Sequence, residues 1–255
     1  MSGGAGTVPS LRIEGARAIL SLRRPDKRNR IEPDDLTTLL GHLEVVDAHP
    51  DVRVVVIEAE GPAWCSGFHL GALADRAPAP VGFGDLCDRL ERMAVPTVAA
   101  IAGSVHGGGT DLAISCDFRV ATHAVTLGMP AAKIGLQYYA SGLRRFVERI
   151  GPAATKRLFL TAETISAEEL LRIGFLTEVV APDALDARVD ELCAAVTALA
   201  PLAVRATKAA IDQLAGPAAD LDAIQAGHVR TVRSADHAEA MRAMRERRPP
   251  RFEGR

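Results

Sequence analysis

The sequence predicts an α/β fold with a helical C-terminal extension, and three observations carry that expectation. Short hydrophobic strands alternate with helices through the first half, helical patterning stands almost alone in the second, and apolar residues are abundant. Of 255 residues, 48% are hydrophobic but only 4% aromatic, so the core is aliphatic and alanine-rich. A chain of this length favours one globular domain, with at most a small appendage.

The elements follow in order. Leu11–Ile13 and Ala18–Leu22 flank Glu14-Gly15 and read as a strand hairpin. Arg24-Pro-Asp-Lys-Arg-Asn29 is turn chemistry with positive charge. From Pro33, apolar residues at Leu36, Leu39, Leu40, Leu43 and Val46 form a helical stripe with proline in its first turn. Val52–Ile57 is a buried strand, and Gly61–Leu70 a loop. Residues 72–84, rich in Ala, Pro and Gly, read as mobile. Leu86, Leu90 and Met93 mark a short helix, Thr97–Ile101 and Asp117–Ala121 two more strands, with a glycine loop opening a helix between them. Ser166-Ala-Glu-Glu169 is a capping box, and Gly174 sits where a helix ends. Asp183 is placed to cap a helix carrying Leu185, Val189, Leu192 and Val196, and further helices are expected over 202–213 and 219–246.

Charge and cysteine usage exclude several classes. Thirty basic residues against thirty-two acidic ones give a net charge of −2, which argues against a dedicated nucleic-acid or membrane-surface protein. The four cysteines (Cys65, Cys87, Cys116, Cys193) form no C-x-x-C pair and no zinc-spaced cluster, so no metal site is expected and a reducing, cytoplasmic setting is. Met1–Ser10 lacks a signal core, and no apolar run is long enough to span a membrane.

The informative feature is a hydrophobic strand followed by a glycine loop, twice. Gly67 and Gly107-Gly-Gly109 leave backbone N–H groups open to a ligand, and two such groups converging from separate loops form an oxyanion receptor. A helix opened by the second loop would add its positive end. Asp111 lies in the first turn of that helix, where capping alone would explain it and a base beside an oxyanion hole is the alternative. The second loop is no nucleotide fingerprint, since neither G-x-G-x-x-G nor a P-loop is present.

Six stretches, Arg24–Asn29, Trp64–Leu70, Ala102–Leu112, Leu158–Ala162, Ala167–Val180 and Arg247–Gly254, resemble the crotonase (enoyl-CoA hydratase/isomerase) superfamily, in order and with its spacing. The resemblance implies a crotonase-type ββα spiral core over 1–200 that binds acyl-CoA, and a C-terminal helical trimerisation region over 201–255. It also implies a homotrimer or dimer of trimers, with coenzyme A as part of the substrate and no separate cofactor. Oxyanion N–H groups would come from Phe68 and Gly108, with Lys27, Arg28, Ser66, Gly67 and Gly107 along the CoA moiety.

The resemblance also marks departures. Hydratases of the family use two glutamates; the first maps to Asp111, one methylene shorter, and the second to Ala131, which cannot carry a proton. Gly135–Gly142 replaces the usual glycine-rich stretch and is similar to methylmalonyl-CoA decarboxylase, whose tyrosine matches Tyr138. That enzyme's pocket histidine falls at Gly71, while His69 stands where many relatives have aspartate. His69 is thus a pocket group or a surface-loop histidine, and His106 packs beside the glycine loop. Of Tyr138 and Tyr139, one faces the acyl pocket and the other packs. Arg242, Arg245, Arg247 and Arg248 form a solvated basic helix or meet a CoA phosphate of a neighbouring subunit. The expected activity is enoyl-CoA hydration or double-bond isomerisation through a thioester enolate, with Asp111 as acid/base and Tyr138 and His69 as pocket groups. Decarboxylation of a short malonyl-type CoA is the first alternative, and an acyl-CoA binding protein without catalysis the second.

Overall fold

Hydrophobic runs without polar alternation demand cover on both faces of a sheet, and the fold supplies it. The computed structural model describes residues 7–71, 81–216 and 218–255. A six-stranded sheet runs β1 (Ser10–Glu14), β2 (Arg17–Leu22), β3 (Val54–Ala59), β5 (Thr97–Ile101), β7 (Phe118–Thr122) and β10 (Glu178–Val180). The β1–β2 hairpin is antiparallel and every later pairing in this sheet is parallel. One face, with Val55 and Ile57, joins the main core; the other, with Val54, Val56, Val98 and Val120, packs on Leu185, Val189 and Cys193. The latter three belong to a helix over Leu185–Thr197, so the expected strand-and-helix alternation is realised as layers.

A second sheet of short strands runs β4 (Ala63–Cys65), β6 (Ser104–His106), β8 (Thr126–Gly128) and β9 (Thr164–Ser166). The three middle turns of the chain, starting at β3, β5 and β7, therefore each place one strand in the first sheet, the next in the second, and then a helix. The helices are α1 (Pro33–Ala48), α2 (Phe83–Glu91), α3 (Gly108–Ile114), α4 (Ala140–Thr161), α5 (Ala167–Arg172), α6 (Leu185–Thr197), α7 (Pro201–Ala215), α8 (Leu221–Val232) and α9 (Ala235–Glu246). No helix among the described residues is long and apolar enough to cross a membrane.

Five expectations are corrected. The Gly61–Leu70 loop contains β4. Of the 72–84 stretch, 72–80 lie outside the described residues, while Phe83 and Gly84 already belong to α2. Ala184, not Asp183, is the N-cap of α6, and Asp183 sits in a 3₁₀ turn. The single helix expected over 219–246 is two, because the Ser234 hydroxyl accepts the His237 N–H at 3.0 Å and starts α9 afresh. Of the expected capping box only the Ser166 half forms, its hydroxyl accepting the Glu169 N–H, because the Glu169 carboxylate is taken by Arg157 and Arg172.

Candidate active site

Strands β4 and β6 are adjacent and parallel, with Cys65 opposite Val105, so the loops that follow them leave the sheet side by side. This pairing brings the two glycine loops together. Gly67 has φ +94°, and a methyl group built on it would stand 2.6 Å from the Gly108 nitrogen. A methyl on Gly108 would stand 3.3 Å from the Phe68 nitrogen. Ile31 donates to the Gly67 carbonyl and accepts from the His69 N–H, a bridge that turns the intervening Phe68 N–H the other way. Gly108 is the first residue of α3, so its N–H has no acceptor within the helix. Two open N–H groups thus stand together at one spot.

The turn carrying Lys27 and Arg28 is fixed against this spot. Buried Asn29 donates to the carbonyls of Glu60 and Ala63, each at 2.7 Å, and Ser66 N–H donates to the Arg28 carbonyl at 2.9 Å. Arg24 pairs with fully buried Asp35 and anchors the turn to α1. Lys27 and Arg28 stay exposed, and neither forms an ion pair with a described residue. Burial and the nearby Arg28 charge hold His106 below the usual histidine range.

Asp111, one turn into α3, is fully buried. Its Oδ2 accepts the hydroxyls of Tyr138, at 3.1 Å, and Tyr139, and its Oδ1 accepts Arg145 at 2.9 Å. Burial raises the carboxyl above the usual aspartate range, opposed by the Arg145 charge and then by the two hydroxyls. The tyrosines stack, ring centroids 4.5 Å apart. Tyr138 is the deeper one and packs on Phe159; Tyr139 is half-buried and lies against Gly84 at the start of α2. Beside it, the Phe83 ring edge comes within 2.9 Å of where a Gly108 methyl would be, so Phe83 roofs the two N–H groups. Burial, and then the charges of their neighbours, lifts both phenols well above their ordinary range, so they are proton donors at neutral pH.

The other residues singled out from sequence fall in two places. Ala131 is buried in a 3₁₀ turn, with no group that could act on water. His69 does not join the Asp111 cluster: its Nδ1 is 2.7 Å from Glu32 Oε2, at the start of α1. Burial works against the Glu32 charge, but Arg30 and then His69 hold its carboxyl below the usual range. Sequence reasoning misses Arg145, Asp88 and Asn29, since no local pattern distinguishes a buried arginine from a solvated one in a helix.

Two open N–H groups beside a carboxylate–phenol cluster can hold a developing oxyanion and move a proton next to it. Known proteins share the fold that carries these groups. The family model described as enoyl-CoA hydratase/isomerase matches residues 12–255. The chain belongs to the enoyl-CoA hydratase/isomerase family. Within that family it is 32% identical over 252 residues to the Enoyl-CoA isomerase/hydratase fer4 of Mycosarcoma maydis, covering 92% of each chain. It is 30% identical to the crotonyl-CoA hydratase of Syntrophomonas wolfei, covering 83% of each. The enoyl-CoA hydratase structure from Bacillus anthracis superposes with a TM-score of 0.90 at 26% identity, over 98% of this chain and 100% of that one. These relatives make the protein an enzyme of crotonase type, with an α/β fold to match.

Proposed function

We propose that this family member shifts the double bond of an enoyl-CoA thioester, with Asp111 and the Tyr139 hydroxyl it holds acting as its one proton relay. The residue at 131 carries this reading. Adding water across a double bond asks for one group to take a proton from water and another to give one to carbon, and alanine offers neither. A 1,3-shift asks only that one group take a proton and return it. In the proposed step a C2 proton of a 3-enoyl thioester passes to the Tyr139 oxygen while the Tyr139 proton passes to Asp111. The C–H electron pair becomes a dienolate whose oxygen rests on the Phe68 and Gly108 N–H groups. The relay then runs backwards to C4, giving the 2-enoyl thioester with no atom gained or lost. Tyr138 holds Asp111 Oδ2 from the inner side.

Exposed Lys27 and Arg28 suit the CoA phosphates, with Ser66, Gly67 and Gly107 lining the approach. The catalytic core is assigned to 1–200 and assembly to 201–255, as a homotrimer or dimer of trimers. A relative named for both isomerisation and hydration supports the reading.

Decarboxylation of a malonyl-type CoA is the second reading, favoured by the two hydroxyls on Asp111. Loss of carbon dioxide leaves the same enolate, which needs only the two N–H groups and a proton donor. The purified protein is to be incubated with 3-enoyl, 2-enoyl and methylmalonyl thioesters, followed by ultraviolet absorbance of the conjugated product and by mass spectrometry. Conjugation without mass change on the 3-enoyl substrate, lost in Asp111→Asn, is the expected result. Loss of carbon dioxide would select the second reading, and gain of water on the 2-enoyl substrate would overturn the one-relay argument.

A further inference from the structure

Arg145 is a charged side chain with no solvent exposure, on a helix whose other face is open to water. Its guanidinium reaches three carboxylates: Asp111 Oδ1 at 2.9 Å, Asp88 Oδ1 at 2.5 Å and Glu91 Oε1 at 3.5 Å. Glu91 is also held by Arg144 at 2.6 Å, which in turn pairs with Glu148, so its charge is met from outside. Arg145 is left shared between Asp111 and Asp88. A staple joining α2 to α4 would need only Asp88 and Glu91; the third contact ties that staple to α3 and the site.

We propose, resting on the reading of Asp111 as proton carrier, that Arg145 and Asp88 form a positioning pair that fixes the aim of Asp111 and keeps it ionised. Both act through the Asp111 carboxylate. Among the described residues, the groups facing Asp111 are Arg145, Tyr138 and Tyr139 from α4 and the segment before it, and Cys87 and Asp88 from α2, with Glu91 reached through Arg145. Arg145 is the one cation among them. Without it, a fully buried carboxylate would keep only neutral donors, and burial would favour the protonated acid. Asp88 holds Arg145 in place together with Glu91, and its own charge raises the Asp111 carboxyl; because Glu91 still holds Arg145 when the Asp88 charge is removed, the loss of that charge is the larger effect.

The two partners are therefore expected to move the pH profile in opposite directions. The rate needs Asp111 ionised, so kcat/KM falls as pH drops through its pKa. Arg145→Met is expected to move that acid limb up by about one pH unit, and Asp88→Asn to move it down by about half a unit. Arg145→Lys keeps the charge but loses the fork, and is expected to lower kcat about tenfold with the limb nearly in place. The measurement is kcat/KM against pH on the thioester turned over best by the wild type, with thermal unfolding as the check of fold. Folded variants that lose rate with an unmoved limb would make Arg145 a structural staple only and overturn the proposal. If Arg145→Met does not fold, Asp88→Asn decides, and an unmoved limb there overturns it equally. Full activity in Asp111→Asn would instead overturn the underlying reading of Asp111, a distinguishable result.

Discussion

Gly67 gives the sharpest test at the scale of one residue, because it is held at φ +94° with the Gly108 nitrogen directly over its missing side chain. A Gly67→Ala substitution costs about 1–2 kcal/mol of stability for the left-handed backbone. It also forces the two loops apart, and losing one oxyanion donor typically costs 10²–10³ in kcat. The expected outcome is a folded protein with kcat reduced about a hundredfold and a KM for acyl-CoA changed far less, read from steady-state kinetics. An unchanged kcat would separate these N–H groups from the chemistry. The two glycine loops and Asp111 are legible in the sequence because short motifs place them locally, and the family resemblance points to Phe68 and Gly108 within those loops. Arg145 is not, since it meets Asp111 across 34 residues and its charge gives no hint of burial. The pairing of both tyrosines with one carboxylate is equally hidden: their adjacency in the chain does not say where either points.

At the scale of elements, α2 brings Phe83 over the two N–H groups and sets Gly84 against Tyr139. Phe83 also packs near Phe68, ring centroids 5.8 Å apart, so the ring rests on the residue proposed to supply one donor. If the thioester oxygen rests on these N–H groups as proposed, a ring at this place limits bulk at the carbon next to it. Phe83→Ala is expected to raise kcat/KM for a branched or longer acyl chain about tenfold relative to a short straight one, since one or two methylenes are worth that much in an apolar pocket. Competition assays with paired thioesters would measure the ratio, and an unaltered ratio would place the acyl group elsewhere. The long strands of the first sheet can be read from sequence because burial on both faces leaves a continuous apolar run. Strands of three residues, such as β4 and β6, leave no periodicity to detect, yet their pairing is what joins the glycine loops. Helices α8 and α9 share one helical pattern across their break, which only the Ser234 cap reveals.

At the scale of the whole molecule, the C-terminal helices carry apolar surface that the described residues do not cover. Leu221 is 66% exposed and Met244 71%, with Val229, Val232 and Met241 also in contact with solvent on α8 and α9. The tail beyond them is clasped, not loose: buried Asp236 accepts the N–H groups of Glu253 and Gly254, and Arg53 donates to the Phe252 carbonyl at 2.9 Å. A tail tied to α9 through Asp236 and to Arg53, just before β3, folds back on the helix it follows, so the apolar residues of α9 form a defined surface of the kind that protein contacts cover. If that surface is where copies meet, light scattering after gel filtration will give three or six chain masses for the wild type. Leu221→Asp with Met244→Asp places two charges in the contact and is expected to give the single-chain mass, with the helical circular dichroism kept. A wild type that runs as one chain at micromolar concentration would remove the assembly role from 201–255. An assembled double variant would instead move the contact to another face.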